Sequence, residues 1–163
     1  MKAIVFVSLL AMFAQQSVAF ATDKHVLSNH SRGLGVELVV QNTTIRPGDD
    51  VSLRVYVKNE GASTRDVVCR SPQANERFII YDPTGSLLKP EHALGETSNN
   101  GPLSLRPGQR TPCDGASWTK LSQFGYRLSV PGTYKITALR TDIGDDDAVY
   151  GIESNTVAVT VAP

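Results

Sequence analysis

The feature that most constrains the fold of this chain is an alternation of apolar and polar residues with a period of two. Val51, Leu53, Val55 and Val57 are separated by single residues that are mainly polar, and this spacing predicts a strand with one buried face. Three further segments show the same period: 36–40, 134–138 and 157–161. After residue 21 no stretch carries the sustained 3.6-residue apolar stripe of an amphipathic helix. The sequence therefore predicts an all-β fold.

Turn signals separate the predicted strands. Proline–glycine pairs stand at Pro47-Gly48, Pro107-Gly108 and Pro131-Gly132, and Asp82-Pro83-Thr84-Gly85 forms a further turn. Proline presets the backbone angle at the first corner of a turn, and glycine accepts the positive φ that often follows. Short strands divided by such turns are typical of an antiparallel β-sandwich.

The expected sandwich has about seven strands and one long polar insertion. Phe78-Ile79-Ile80-Tyr81 is apolar on both faces, which predicts a central position in its sheet. A sandwich of this kind needs about 100 residues, and much of the surplus falls in residues 84–112, which are polar and poor in β-branched side chains. Loops of that length usually carry function.

The N-terminus has the pattern of a cleaved secretory signal. Lys2 precedes an apolar run over residues 3–14, and Ala19-Phe20-Ala21 forms a small-residue cleavage site. The run is shorter than the ~20 residues of a membrane-spanning helix, so a permanent anchor is the weaker alternative. We expect cleavage after Ala21, with Ala19 as the second choice. The expected division of the chain is a signal peptide over 1–21, a flexible segment over 22–34 and a folded domain over 35–163.

The charge balance excludes several classes of partner. Sixteen basic and sixteen acidic residues cancel, and removal of the signal takes away only Lys2 among them, which leaves a net charge of −1. Nucleic-acid-binding domains carry a basic excess. We therefore expect no nucleic acid. Because no segment after the signal approaches the length of a membrane-spanning helix, we also expect no membrane insertion. The signal pattern predicts a secreted or periplasmic location.

Cys69 and Cys113 are the two cysteines of the chain. An even number of cysteines in an exported protein indicates a disulfide, since the compartment is oxidising. A metal pair or a redox pair is the alternative. Neither has support, because the sequence lacks a C-x-x-C spacing and its three histidines are scattered. We expect a structural Cys69–Cys113 disulfide.

The segment Leu128–Ile136, with Pro131-Gly132-Thr133-Tyr134 at its centre, resembles the approach to a late strand in immunoglobulin-like and fibronectin-like domains. Residues 153–161 resemble the last strand of bacterial domains of this type, and the strand order is similar to that of the Bacillus proteinase-inhibitor domain. The resemblance implies that Tyr134 is a structural corner tyrosine. Trp118 follows both cysteines, so the disulfide would tie an insertion to the sandwich rather than cross its core.

Known catalytic signatures are missing from the sequence. It contains no G-x-S-x-G, no H-E-x-x-H and no phosphate-binding G-x-x-x-x-G-K-[ST] motif, so we expect no catalytic residues, no cofactor and no enzyme activity. Four aspartates form a candidate calcium site: Asp142, Asp145, Asp146 and Asp147. Their spacing does not match an EF-hand, and a solvated hairpin tip is the preferred interpretation, so no metal is assigned.

The function that the sequence favours is an exported binding module for another protein. Its contact surface is expected in the loops at the ends of the sandwich and in residues 84–112. A secreted proteinase inhibitor acting through an exposed loop is the alternative, with Arg106 and Arg110 flanking Pro107 in that loop. An enzyme of unrecognised type is disfavoured, and the fold alone does not decide between these functions.

Overall fold

The computed structural model describes residues 33–70, 76–92, 99–112, 117–143 and 149–163, and their regular structure consists of strands and one 3₁₀ turn. The all-β class is therefore confirmed. The strands are β1 Leu34–Val40, β2 Thr44–Ile45, β3 Ser52–Asn59, β4 Arg65–Arg70, β5 Glu76–Tyr81, β6 Asn99–Leu105, β7 Arg110–Pro112, β8 Thr119–Lys120, β9 Gly132–Ile143 and β10 Val149–Val161, with the 3₁₀ turn over Leu121–Phe124.

The strands form two four-stranded sheets and a two-stranded ribbon. The first sheet has the order β1-β3-β7, and β8 pairs with the opening residues of β3. The second sheet has the order β2-β10-β9-β5, and β4 pairs with β6 in the ribbon. All pairings are antiparallel except that of β2 with β10.

The main core lies between the two sheets. The alternation in β3 has the predicted effect, because Val51, Leu53, Val55 and Val57 are at most 2% exposed. Apolar side chains of β5, β9 and β10 pack in the same cluster as those of β1 and β3. Burial of one face of each sheet is the main stabilising contribution that the alternation encodes.

The ribbon of β4 and β6 covers a second, smaller core. Val67 and Leu105 from the ribbon pack with Leu34, Val57 and Ile152 from the two sheets. The expected polar insertion over 84–112 is not a single long loop, since β6 and β7 lie in it. Its sequence has weak strand propensity, and Leu105 is buried because β4 supplies a partner strand for β6.

The expectation that Phe78–Tyr81 lies centrally is also wrong, because β5 is an edge strand of the second sheet. Two groups outside the sheet bond its open edge. The Leu88 N–H donates to the Ile80 carbonyl at 2.8 Å, and the Tyr126 hydroxyl donates to the Phe78 carbonyl at 3.0 Å. A strand edge covered in this way can be apolar without being central.

Two expectations concern the N-terminal part of the chain. The predicted signal peptide over 1–21 lies outside the described residues. The predicted flexible segment 22–34 overlaps the structure at Gly33, whose carbonyl accepts from Glu60 and Gly61 N–H groups, and at Leu34, which opens β1. Within the described residues no helix is long and apolar enough to cross a membrane.

Candidate functional site

The outward face of the first sheet carries an unusual combination of aromatic and basic side chains. Alternation along β3 directs Arg54, Tyr56 and Lys58 away from the core, since the residues between them are buried. The register places Lys58 opposite Arg110 of β7 and Tyr56 opposite Glu37 of β1. Three strands thus contribute to one surface.

We use the name ladder for four side chains on this surface that contact one another in series: Trp118, Arg54, Tyr56 and Arg110. The guanidinium carbon of Arg54 lies 4.8 Å from the centre of the Trp118 ring. Arg54 Nη1 also donates to the Tyr56 hydroxyl at 3.3 Å. Arg110 lies over the other aromatic ring, with its guanidinium carbon 4.6 Å from the Tyr56 ring centre.

The ladder is held in place and is open to solvent. Arg110 makes an ion pair with Glu37 across Tyr56, and Trp118 is 38% exposed. Each cation–π contact at an exposed site contributes about 0.5–1 kcal/mol. Together with the ion pair, these contacts order long arginine side chains that would otherwise sample many rotamers.

Further basic groups border the ladder. Lys58 pairs with Glu60 at 3.5 Å, and both side chains are about half exposed. Lys120 Nζ donates to the Ser52 hydroxyl at 2.9 Å. Among the described residues, this surface combines four basic side chains with two carboxylates, although the chain as a whole has a formal net charge of zero.

A cleft of about 360 Å³ with a mixed polar and apolar lining lies elsewhere, between the turn before β3 and the segment after the 3₁₀ turn. The carboxylate of Asp50, in the lining of this cleft, accepts two hydrogen bonds, one from the backbone N–H and one from the hydroxyl of Ser122. The lining holds no histidine that would activate the Ser122 hydroxyl. The two bonds hold the 3₁₀ turn against the turn that precedes β3.

Two buried tyrosines bond to the backbone. The Tyr134 hydroxyl donates to the Val130 carbonyl and accepts from the Val130 N–H, each at 3.1 Å. These bonds fix the turn that precedes β9. Burial raises the pKa of the Tyr126 hydroxyl, and the nearby charge of Arg77 acts in the opposite direction.

Several predicted site residues fall beyond what the structure describes. Cys69 lies in β4, whereas Cys113 is outside the described residues, so the disulfide stays a prediction. Asp142 lies near the end of β9, and Asp145, Asp146 and Asp147 are outside the described residues. In the described ranges no group of three or more His, Cys, Asp or Glu residues could hold a metal ion.

Arg106 and Arg110 do not share one projecting loop. Arg106 opens a four-residue turn closed by its carbonyl, which accepts from Gln109 N–H at 3.0 Å, whereas Arg110 belongs to β7 and the ladder. Sequence reasoning missed Arg54, Tyr56 and Trp118 as one site. The alternation in β3 signals the outward direction of the first two, but no pattern reveals that Trp118 lies beside them.

Comparison with family models gives no match for this chain, and no curated protein matches its sequence. Solved structures with partial similarity include the sporulation control protein Spo0M from Bacillus subtilis, at 12% identity and a TM-score of 0.41 over 80% of this chain and 50% of that one. The β-glucosidase EmGH1 from Erythrobacter marinus matches at 18% identity and a TM-score of 0.38, over 79% of this chain and 15% of that one. The Pseudomonas fluorescens alkylpurine DNA glycosylase AlkC, bound to DNA containing an abasic site analog, matches at 13% identity and a TM-score of 0.40, over 80% of this chain and 31% of that one. The chain spans half or less of the length of each.

Proposed function

We propose that this chain is a protein-binding module and that the ladder is the centre of its contact surface. The observation that carries the proposal is the exposed Trp118 ring packed on Arg54, beside Tyr56 and Arg110. Tryptophan, tyrosine and arginine are the residue types enriched at energetic hot spots of protein interfaces. Side chains already ordered in the free protein lose less entropy when a partner binds.

The proposed context is an exported immunoglobulin-like sandwich. Two sheets over one core and the bonds of the Tyr134 hydroxyl to Val130 support this assignment. The signal pattern over 1–21 supports a secreted or periplasmic location, where a Cys69–Cys113 disulfide would form.

The proteinase-inhibitor alternative receives less support from the geometry. An inhibitory loop must project an extended segment into a protease cleft. The turn at residues 106–109 is instead short, and it is tied to the end of β3 because Gly108 N–H donates to the Asn59 carbonyl at 2.8 Å. The ladder therefore supports a binding module better than the turn supports an inhibitor.

A capture experiment tests the proposed function. The purified protein is immobilised and exposed to extracellular and periplasmic extract of the native host, in parallel with Trp118→Ala and with the matched control Lys135→Ala on the outward face of β9. We expect one stoichiometric protein to be retained by the wild type and the Lys135 variant and lost with Trp118→Ala. Equal retention by all three proteins, or no retained protein, contradicts the proposal.

A further inference from the structure

We propose that the ladder surface docks an acidic segment of the partner protein, a step that rests on the proposed function. The surface holds Arg54, Lys58, Arg110 and Lys120, against the carboxylates of Glu37 and Glu60. Since the whole chain is neutral, this basic excess is local to one face. Complementary charge at an interface selects the partner and steers its approach.

The ion pairs already present on this surface are exposed and weak, so a carboxylate of the partner can take the place of their own carboxylates. Lys58 and Glu60 are 45% and 55% exposed, and the Arg110 and Glu37 side chains are 52% and 42% exposed. Exposed pairs contribute little to stability, typically below about 1 kcal/mol. A carboxylate of the partner can therefore approach Arg110 or Lys58 without a large loss of folding free energy.

Arg54 adds positive charge to this surface beside two aromatic side chains. This arginine is half-buried and contacts the Trp118 ring and the Tyr56 hydroxyl. A guanidinium presents a planar fork of donors that matches a carboxylate.

The spacing of the basic groups fits an extended partner segment. Arg54 and Lys58 lie four residues apart on β3, which corresponds to roughly 13 Å along a strand. An extended peptide has the same repeat, so acidic side chains on alternate residues would face these groups in register. The contact is face-on rather than strand addition at β1, because the Asn155 side chain bonds both the N–H and the carbonyl of Leu38 on that edge.

The test uses the chain's own reporter, since Trp118 is its single tryptophan. A synthetic peptide of alternating glutamate and serine is titrated into the purified protein while tryptophan emission is recorded. A lysine–serine peptide and double-stranded DNA are titrated separately, as control ligands of different charge or chemistry. We expect a saturable change with the glutamate peptide alone, weakened by added salt because the contact is electrostatic.

Variants locate the contact and keep the result interpretable. Arg110→Gln should weaken binding about tenfold, the loss typical of one charged hydrogen-bonded contact. Lys58→Gln, at an exposed site where folding is not at risk, should weaken it less, and Lys135→Gln on the other sheet should have no effect. Three results would overturn the acidic-segment proposal. Lys135→Gln could weaken peptide binding as much as Arg110→Gln does, DNA could bind more tightly than the glutamate peptide, or the glutamate peptide could give no response.

The two proposals fail in different ways. If a native partner is captured through Trp118 but the glutamate peptide neither binds nor competes with it, the binding function stands and the acidic chemistry is wrong. If the peptide binds but capture of no native protein depends on Trp118, the surface binds acidic peptides without selectivity and the proposed function is wrong.

Discussion

Asn59 is fully buried and has every side-chain hydrogen-bonding group occupied. Its amide nitrogen donates to the carbonyls of Ser63 and Leu105, each at 2.8 Å, and its amide oxygen accepts from Gly61 N–H at 2.9 Å. One side chain thus holds the turn after β3 against the end of β6. The sequence marks this position only as part of an Asn-Glu-Gly turn, because local spacing does not reveal the distant Leu105 carbonyl.

Substitution of Asn59 should therefore be costly. Asn59→Ala leaves three backbone groups without their partner, and we expect the free energy of unfolding to fall by about 2–4 kcal/mol. Asn59→Asp should cost more at neutral pH, because a carboxylate would face two carbonyl oxygens, and should recover in part when acid protonates it. Urea denaturation measures both effects. Asn42→Ala, at an exposed asparagine, is the control expected to change stability by less than about 0.5 kcal/mol.

Tyr126 makes a pH-dependent contribution to stability. Burial raises its pKa above the ordinary tyrosine value of about 10. A group whose pKa is raised by folding contributes fully below the unfolded-state pKa and loses its contribution as the pH rises through the folded-state pKa. The hydrogen bond from its hydroxyl to Phe78 should therefore stabilise the protein at neutral pH and weaken above about pH 10.

Comparison of wild type with Tyr126→Phe tests this sign. At neutral pH the variant should be less stable by about 1 kcal/mol, because the Phe78 carbonyl loses its donor. The difference should shrink as the pH rises above about 10, since only the wild type has a Tyr126 contribution to lose there. Tyr81→Phe, at a tyrosine that is 45% exposed, should behave like the wild type. A constant difference at all pH values would contradict the assignment.

At the scale of elements, the open edge of β1 is blocked by a single side chain. The Leu38 N–H donates to Asn155 Oδ1 at 2.9 Å, and Asn155 Nδ2 donates back to the Leu38 carbonyl at 3.1 Å. Asn155 lies where the register of β10 shifts, between Glu153 and Thr156, and this irregularity of β10 accompanies its approach to β1. Exposed strand edges promote association between chains, so blocking the edge favours the monomer.

Removal of this block should expose β1 to pairing with other chains. Asn155→Ala should lower the free energy of unfolding by about 1 kcal/mol and increase self-association on concentration. Sedimentation velocity measures the association directly. Asn155→Asp keeps an acceptor for the Leu38 N–H but places a carboxylate against the Leu38 carbonyl, so at neutral pH it should lower the free energy of unfolding at least as much as Asn155→Ala. A monomeric Asn155→Ala protein at all concentrations would show that the edge is protected by other means.

The elements also show what the sequence could and could not predict. The alternation over Val51–Val57 predicts β3 and its buried face, because a half-buried strand imposes a period of two on its own residues. β7 and β8 have only three and two residues, which is too short for any periodicity. Their pairing with β3 joins segments that are far apart in the sequence, and this pairing brings Arg110 and Trp118 to the ladder. Local sequence patterns therefore predict the outward-facing β3 residues of the candidate site, but they do not predict that Arg110 and Trp118 join them.

At the scale of the whole molecule, the β4–β6 ribbon is joined to the rest by a small core, by the bond from Asn59 to the Leu105 carbonyl and by a buried arginine. Arg140 of β9 is 0% exposed, and its Nη2 donates to the Val68 carbonyl of β4 at 2.8 Å. The core beneath the ribbon contains fewer buried side chains than the core between the sheets. The ribbon should therefore be the least stable part of the described structure.

Arg140→Ala should separate the stability of the ribbon from that of the sheets. The variant removes a charged hydrogen bond and leaves a cavity, and we expect a loss of about 3 kcal/mol or more in unfolding free energy. Hydrogen exchange should show amides of β4 and β6 losing protection well before those of β3 and β9. Arg140→Met, which fills most of the volume without a charge to bury, should recover part of the loss. Lys135→Ala, on the outward face of the same strand, is the control for a change in β9 itself. If protection fell equally in all strands of the Arg140→Ala variant, the ribbon and the sheets would be one cooperative unit, and the Arg140 bond to Val68 would stabilise the whole fold rather than its smaller part.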